Sequence, residues 1–204
     1  MRRPMFLALL HGGALAAALA PGLPKAVIFD LDGCLWFPDM YMLWGGGAPF
    51  TLREDRDLDD CIGKRTYLLG DVRQVLYELK TDAKWEGVVT AVSSRTDEPN
   101  WAQECMRKFE VGPPGSGLCI KDCIDVEEIS KTNKRDHFKR ISDATGIAYE
   151  EMLFFDNERP NCLDVSDLGV SVAYVPDGVT ADAWEESLDR FPESGSVFDF
   201  RMGR

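Results

Sequence analysis

Asp30 and Asp32 stand two residues apart, directly after the apolar run Ala26-Val-Ile-Phe29 and directly before Gly33. A continuous, partly β-branched apolar run that ends in polar residues and glycine predicts a buried strand running into a loop. Ligands of open α/β sheets bind beyond the carboxyl ends of the strands, and the i, i+2 spacing aims both carboxylates at one place. Two unpaired carboxylates in a buried site are costly. A hard cation between them removes that cost, because such cations take oxygen ligands. An isolated Asp-x-Asp-Gly also fits a solvated turn, so the other strand ends have to decide.

Three further places carry groups of matching chemistry. Val88–Val92 predicts a second strand, which ends in Ser93-Ser94-Arg95-Thr96 ahead of a helix beginning at Asp97. A hydroxyl and a guanidinium between a strand end and a helix N-terminus suit an anion, although plain helix capping explains them equally well in isolation. Lys131-Thr-Asn-Lys134 leads into a helix over 137–145. Lysine near a helix start opposes the dipole preference, which hints that Lys131 or Lys134 serves another purpose. Glu151–Phe155 predicts a strand ending in Asp156-Asn157, with Pro160 suited to the first turn of the next helix.

Together these residues can transfer a phosphoryl group. A carboxylate is a competent nucleophile toward phosphorus, and attack by one anion on another requires a divalent metal and cations to neutralise charge. Asp30 is the candidate nucleophile. Asp32 is placed to protonate the leaving oxygen and then to deprotonate the hydrolytic water. Ser94 and Arg95 would hold phosphoryl oxygens, and Lys134 would balance charge between Asp30 and the phosphate. Asp156 and Asn157 would complete a metal shell with Asp30 and Asp32, and Mg²⁺ suits an all-oxygen site that keeps several waters.

The elements that must position these groups alternate. Gly70-Asp71 opens a helix with Val72, Val75, Leu76 and Leu79 at helical spacing and Asp71 as N-cap. Trp101, Cys105, Met106 and Phe109 form the apolar side of the helix from Asp97, and Gly146 stops the helix over 137–145. Leu118–Val126 alternates like a strand, Val170–Val175 is the last clear strand, and 180–190 reads as a surface helix. Leu163, Val165 and Leu168 are the apolar positions of the helix after Asp156. Strand and helix alternating over residues 25–190 predict an α/β fold, a doubly wound and mainly parallel Rossmann-like sheet with right-handed crossovers. Between the first strand and first helix, Trp36–Phe50 is aromatic and glycine-rich and Arg53–Asp60 is acidic. The connection has hairpin potential, and the acidic run reads as a solvated loop.

Asp30-Leu-Asp-Gly-Cys-Leu, Ser94, Lys134 and Phe155-Asp-Asn-Glu-Arg-Pro-Asn161 resemble the four motifs of the haloacid dehalogenase superfamily of phosphohydrolases. Leu35-Trp36, Ser94-Arg95-Thr96, His137-Phe138-x-Arg140, Thr145-Gly146-Ile147 and Phe154-Phe155-Asp-x-Glu-Arg resemble its magnesium-dependent phosphatase group, over roughly residues 24–176. The resemblance implies a capless Rossmann-like domain with a short flap, in place of a lid, at residues 37–66. It also implies an aspartyl-phosphate mechanism acting on phosphotyrosine or sugar phosphates. The family pattern has two acids where this chain has Asp156 and Asn157, and the second is commonly the direct metal ligand. A neutral amide there keeps open a second reading, a non-catalytic phosphate-binding or interaction module. A third, a receiver-like domain phosphorylated on aspartate, is disfavoured because Asp32 as an acid/base promotes turnover.

Bulk properties bound the partners. The 204 residues carry a net charge of −12, which argues against nucleic acid, whose binders need a basic face. Any phosphate must therefore be held by a few placed cations. Six cysteines at 34, 61, 105, 119, 123 and 162 contain no CxxC and read as reduced apolar fillers of a cytoplasmic protein. Residues 1–23 read as an extension dispensable for folding. Arg2, Arg3 and an alanine-rich apolar run suit a secretory signal, although Pro21 follows Ala18-Leu19-Ala20 directly; an organelle transit peptide or a packed helical extension are the other readings. Either targeting reading would send the chain to an organelle or out of the cell. The run is too short and glycine-broken for stable membrane insertion. The expected organisation is an extension over 1–23, a phosphatase domain over 24–192 and an irregular tail over 193–204, as a monomer.

Overall fold

The computed structural model describes residues 22–201, so most of the extension expected at 1–23 lies outside the described residues. In chain order the strands are β1 (Ala26–Phe29), β2 (Trp36–Phe37), β3 (Thr51–Leu52), β4 (Leu58–Asp59), β5 (Arg65–Leu68), β6 (Val89–Ser94), β7 (Val126–Ile129), β8 (Met152–Asp156), β9 (Ser171–Tyr174) and β10 (Val197–Asp199). The α-helices are α1 (Val72–Thr81), α2 (Pro99–Lys108), α3 (Ile120–Cys123), α4 (Lys134–Thr145), α5 (Arg159–Ser166) and α6 (Ala181–Arg190).

Six strands form one sheet in the order β10-β9-β8-β1-β6-β7, and every pairing in it is parallel. Burial on both faces explains the continuous apolar runs. Val27 and Phe29 of β1, with Leu153 and Phe155 of β8, join a core against α1, α2, α3 and α6. Ala26 and Ile28, with Met152 and Phe154, face the other way, onto Phe138 and Ile141 of α4 and Cys162 and Val165 of α5. From central β1 the order runs outward in both directions, so a topological switch point lies at its carboxyl end.

Four strands form a second, antiparallel sheet, β2-β5-β4-β3, a flap whose β2–β3 connection brings Asp39 and Tyr41 to the pocket at that end. Here the solvated-loop reading of Arg53–Asp60 is corrected. Asp57 is buried between Arg65 at 2.5 Å and Arg73 at 3.0 Å. Asp60 is buried because it accepts from the backbone amides of Gly47, Ile62 and Lys64 at 3.0, 3.0 and 2.7 Å. Their partners, which sequence patterning does not reveal, draw these carboxylates inward.

Other expectations also shift. The strand over Leu118–Val126 is instead a one-residue bridge at Cys119, helix α3 and then β7. Asp122 accepts from the Cys119 amide at 2.8 Å, a local turn that overrides the alternation. Asp71 precedes α1 but makes no side-chain cap; its carboxylate accepts from the Ala181 amide at 2.7 Å. Asn133 caps α4, which starts at Lys134 rather than His137. Helix α2 starts at Pro99 rather than Asp97, and Leu168 falls beyond α5. The tail is not wholly irregular, because β10 extends the sheet and seats Phe198 in the core beneath the Arg190 guanidinium at 4.0 Å. The described cysteines are all free thiols. Among the described residues no helix is long and apolar enough to cross a membrane.

Candidate active site

Each predicted strand end arrives at the switch point. Asp30 directly follows β1, and its backbone amide continues the pairing with β8 by donating to the Phe155 carbonyl at 2.9 Å. Asp156 ends the neighbouring β8 and is fully buried. Lys134, at the first position of α4, is also buried; its ammonium donates to Asp30 Oδ1 at 2.5 Å, lies 3.1 Å from Asp156 Oδ2 and donates to the Ser93 carbonyl. The structure thus separates the two lysines left open by spacing, since Lys131 is exposed and pairs with Asp97 at 2.7 Å.

Electrostatics follow from that packing. Burial pushes Asp30 well above the ordinary carboxylate range, against the pull of Lys134 and with the repulsion of Asp156 behind it. Burial likewise raises Asp156 against Lys134. Burial also opposes the Lys134 charge, but the two carboxylates outweigh it and hold the ammonium protonated. One ammonium faces two carboxylates in a water-poor place, where burial disfavours ionising both. Asp32 is raised by burial too, against hydrogen bonds from Trp36, Thr96 and the Met40 backbone. The Trp36 indole donates to Asp32 Oδ1 at 2.7 Å and fixes the carboxylate within the loop.

A pocket of about 120 Å³ is lined by Asp30, Asp32, Ser94 and Arg95, together with Asp39 and Tyr41 of the flap, Thr96, Asp97, Glu158 and Asn161. Ser94 Oγ accepts from the Thr96 amide at 3.3 Å, so the turn after β6 presents the hydroxyl at the pocket wall. Asn161 has no role in the motif reading, yet it ties the site together. Its amide nitrogen donates to Asp156 Oδ2 at 3.2 Å and Glu158 Oε2 at 2.8 Å, and its oxygen accepts from Arg95 at 3.3 Å. Its place in the first turn after a strand-end aspartate was the available signal. Asp39, another missed group, is pushed up to about 6 by burial and by the charges of Asp32 and Glu158.

Asn157 sits differently. It lines the adjoining cleft with Gly33, Phe37, Tyr67 and Asp177 rather than the Asp30 pocket. Gly33 has φ +73° and lies so close beneath the amide that a Cβ there would stand 2.2 Å from Asn157 Nδ2. Asn157 Oδ1 is buried with no hydrogen-bond partner. Among the described residues no three acidic, histidine or cysteine side chains already converge as a cage. A cation that keeps several waters needs only one or two carboxylates. The Asp30 and Asp156 carboxylates, whose joint ionisation burial disfavours, are the groups that such an ion would satisfy, so they fit Mg²⁺; the orphaned Asn157 oxygen lies in the adjoining cleft.

Comparison with known proteins agrees with this geometry. A family model described as acid phosphatase matches residues 22–194. The chain is 31% identical to human magnesium-dependent phosphatase 1 over 174 residues, covering 84% of this chain and 89% of that protein. It is 34% identical over 153 residues to a HAD-like hydrolase superfamily protein of Schizosaccharomyces pombe, covering 72% of this chain and 83% of the relative. Among solved structures, the N-terminal part of a Bacteroides fragilis protein, containing a phosphatase domain complexed with Mg, superposes with a TM-score of 0.56 at 21% identity. That match covers 86% of this chain and 42% of the other. CbbY from Rhodobacter sphaeroides, bound to xylulose-(1,5)bisphosphate, gives a TM-score of 0.52 at 13% identity, covering 86% and 94% of the two chains; both likenesses speak to the fold.

Proposed function

Because the chain belongs to the acid phosphatase family of the haloacid dehalogenase superfamily, we propose that it hydrolyses phosphomonoesters through an aspartyl-phosphate on Asp30. The chain is a phosphatase with Mg²⁺ as cofactor. The covalent route is supported above all by the buried Lys134 ammonium held between Asp30 and Asp156 at the switch point. The residues at 24–192 are taken as the catalytic unit.

In this reading one Asp30 oxygen attacks phosphorus and the ester oxygen departs. Asp32 gives that oxygen a proton, and in the second half takes a proton from the water that splits the acyl phosphate. Ser94 and Arg95 hold the non-bridging oxygens, while Lys134 keeps Asp30 oriented and offsets its charge. Asp30, Asp32, Asp156 and the Asn157 amide oxygen are the groups that would hold Mg²⁺. When bound, the ion neutralises the nucleophile and phosphate so that the two anions approach. The flap contributes the exposed Tyr41 to the pocket wall and the exposed Phe37 to the adjoining cleft, aromatic groups that suit phosphotyrosine; a sugar phosphate is the other substrate class in view.

Hydrolysis of p-nitrophenyl phosphate by the full chain, with Mg²⁺ and with a chelator, tests the reading. Turnover restored by Mg²⁺, with one phosphate trapped on Asp30 after rapid acid quench, is expected. Turnover without a trapped Asp30 adduct under any quench would remove the covalent step.

A further inference from the structure

His137 is fully buried, one helical turn beyond Lys134 on α4, and the proposed reaction makes no use of it. Its ring bridges two strand ends. Nδ1 lies 3.0 Å from Ser93 Oγ, at the end of β6, and Nε2 lies 3.0 Å from Ser130 Oγ, just beyond β7. Ser130 in turn donates its backbone amide to the Ser94 carbonyl at 3.0 Å, and its hydroxyl is met by Arg140 at 3.3 Å and Thr132 at 3.0 Å. Ser93 is therefore gripped twice by one helix, through its hydroxyl by His137 and through its carbonyl by Lys134. The peptide that follows carries Ser94, whose hydroxyl lines the pocket.

We propose that His137 is a positioning residue for phosphate binding: by clamping Ser93 and Ser130 it fixes both the carbonyl that aims Lys134 and the peptide that presents Ser94. The inference rests on Lys134 and Ser94 facing the phosphate. A neutral imidazole suits the task, since it offers one donor and one acceptor to two hydroxyls. Burial, with Lys134 and Arg140 nearby, holds its pKa down at about 4, so the ring carries no charge beside the ammonium it helps to aim. Misplacing a group by about 1 Å is enough to lose much of a catalytic contact, and the loss appears at the site rather than at the clamp.

The test is a double-mutant cycle read by orthophosphate. His137→Phe keeps a ring of similar bulk and deletes both bonds; Ser93→Ala deletes one from the other side; His137→Gln retains one polar partner. Orthophosphate binding in Mg²⁺ buffer is followed by calorimetry, beside kcat and KM for p-nitrophenyl phosphate. The expected result is phosphate affinity about tenfold weaker in His137→Phe and in Ser93→Ala, no further loss in the double variant, and partial recovery in His137→Gln. A role in packing alone would lower thermal stability in His137→Phe but leave phosphate affinity unchanged, and that outcome overturns the proposal. Additive losses in the double variant overturn it as well. Should His137→Phe fail to fold, Ser93→Ala alone decides, because unchanged phosphate affinity in that variant breaks the clamp. Wild-type protein that binds phosphate without turning it over would fail the hydrolytic reading and leave the clamp measurable. Wild-type protein that does neither would overturn both.

Discussion

β1 and the flap strands β3 and β4 lie close in sequence and are built from opposite materials. All four residues of β1 are inaccessible, and its two neighbours pair with it along its whole length. Both residues of β3 are exposed, and the hairpin it forms with β4 and β5 is tied by Arg53, Asp55, Asp57, Asp59 and Arg65. The first region is held by removal of apolar surface from water, the second by ion pairs that are partly solvated. Burial of a large apolar side chain contributes about 1.5–3 kcal/mol, and an exposed ion pair about 0–1 kcal/mol. Asp30 thus follows a strand buried and paired along its whole length, while the flap that shares its pocket is held by weaker, partly solvated contacts.

That contrast can be broken at several places. The largest effect is expected from Asp30→Asn, which should lower Mg²⁺-supported turnover at least about a thousandfold. Its melting temperature should hold or rise, because one of two carboxylates whose joint ionisation burial disfavours is removed. Loss of fold in this variant, seen by circular dichroism, would mean that the carboxylate is structural. Phe155→Ala, in the sheet beside Phe29 at 5.3 Å between ring centroids, should cost about 3–5 kcal/mol in chemical denaturation.

Asp57→Ala in the flap should cost only about 1–2 kcal/mol, with faster amide exchange confined to residues 51–68 and a raised KM. A global cost rivalling that of Phe155→Ala would erase the distinction between the two regions. Asn157→Asp restores a carboxylate and its stronger Coulomb attraction to Mg²⁺. Half-maximal activity should then need several-fold less Mg²⁺, with a smaller change in maximal rate. Identical metal titrations would remove position 157 from the shell.

The smallest effect concerns acid. Asp39 binds its proton more tightly folded, at about 6, than unfolded, near 3.8. The folded state therefore loses stability as pH rises from roughly 4 to 6 and is level above that window. Asp39→Asn should flatten that slope in chelator-treated protein, which melting curves at half-unit pH steps would reveal.

The parallel sheet was legible because its strands are continuous apolar runs ending in polar residues, as at Ala26–Phe29 and Met152–Phe155. Those same ends marked Asp30, Asp32, Ser94, Arg95 and Asp156 by position. Less visible was whatever depends on a distant partner. Asp57 and Asp60 read as solvated because the arginines and backbone amides that bury them are not encoded in local pattern. β10 was missed because three residues after a glycine-serine turn carry little periodicity, and Phe198 is defined by the cavity it fills. Asn161 and His137 act through other side chains, and only their coordinates show which ones.

The Lys134–Asp30 contact joins residues separated by 104 positions in the chain, and Asp156 enters later still. Contact order is accordingly high at the one place where chemistry is proposed to occur. During synthesis, the first strand must remain without its left-hand neighbour until β8 has emerged. Nascent fragments ending before that point carry Asp30 and, once α4 has emerged, Lys134, but lack Asp156. Completion of the sheet is therefore what brings Asp30, Lys134 and Asp156 together.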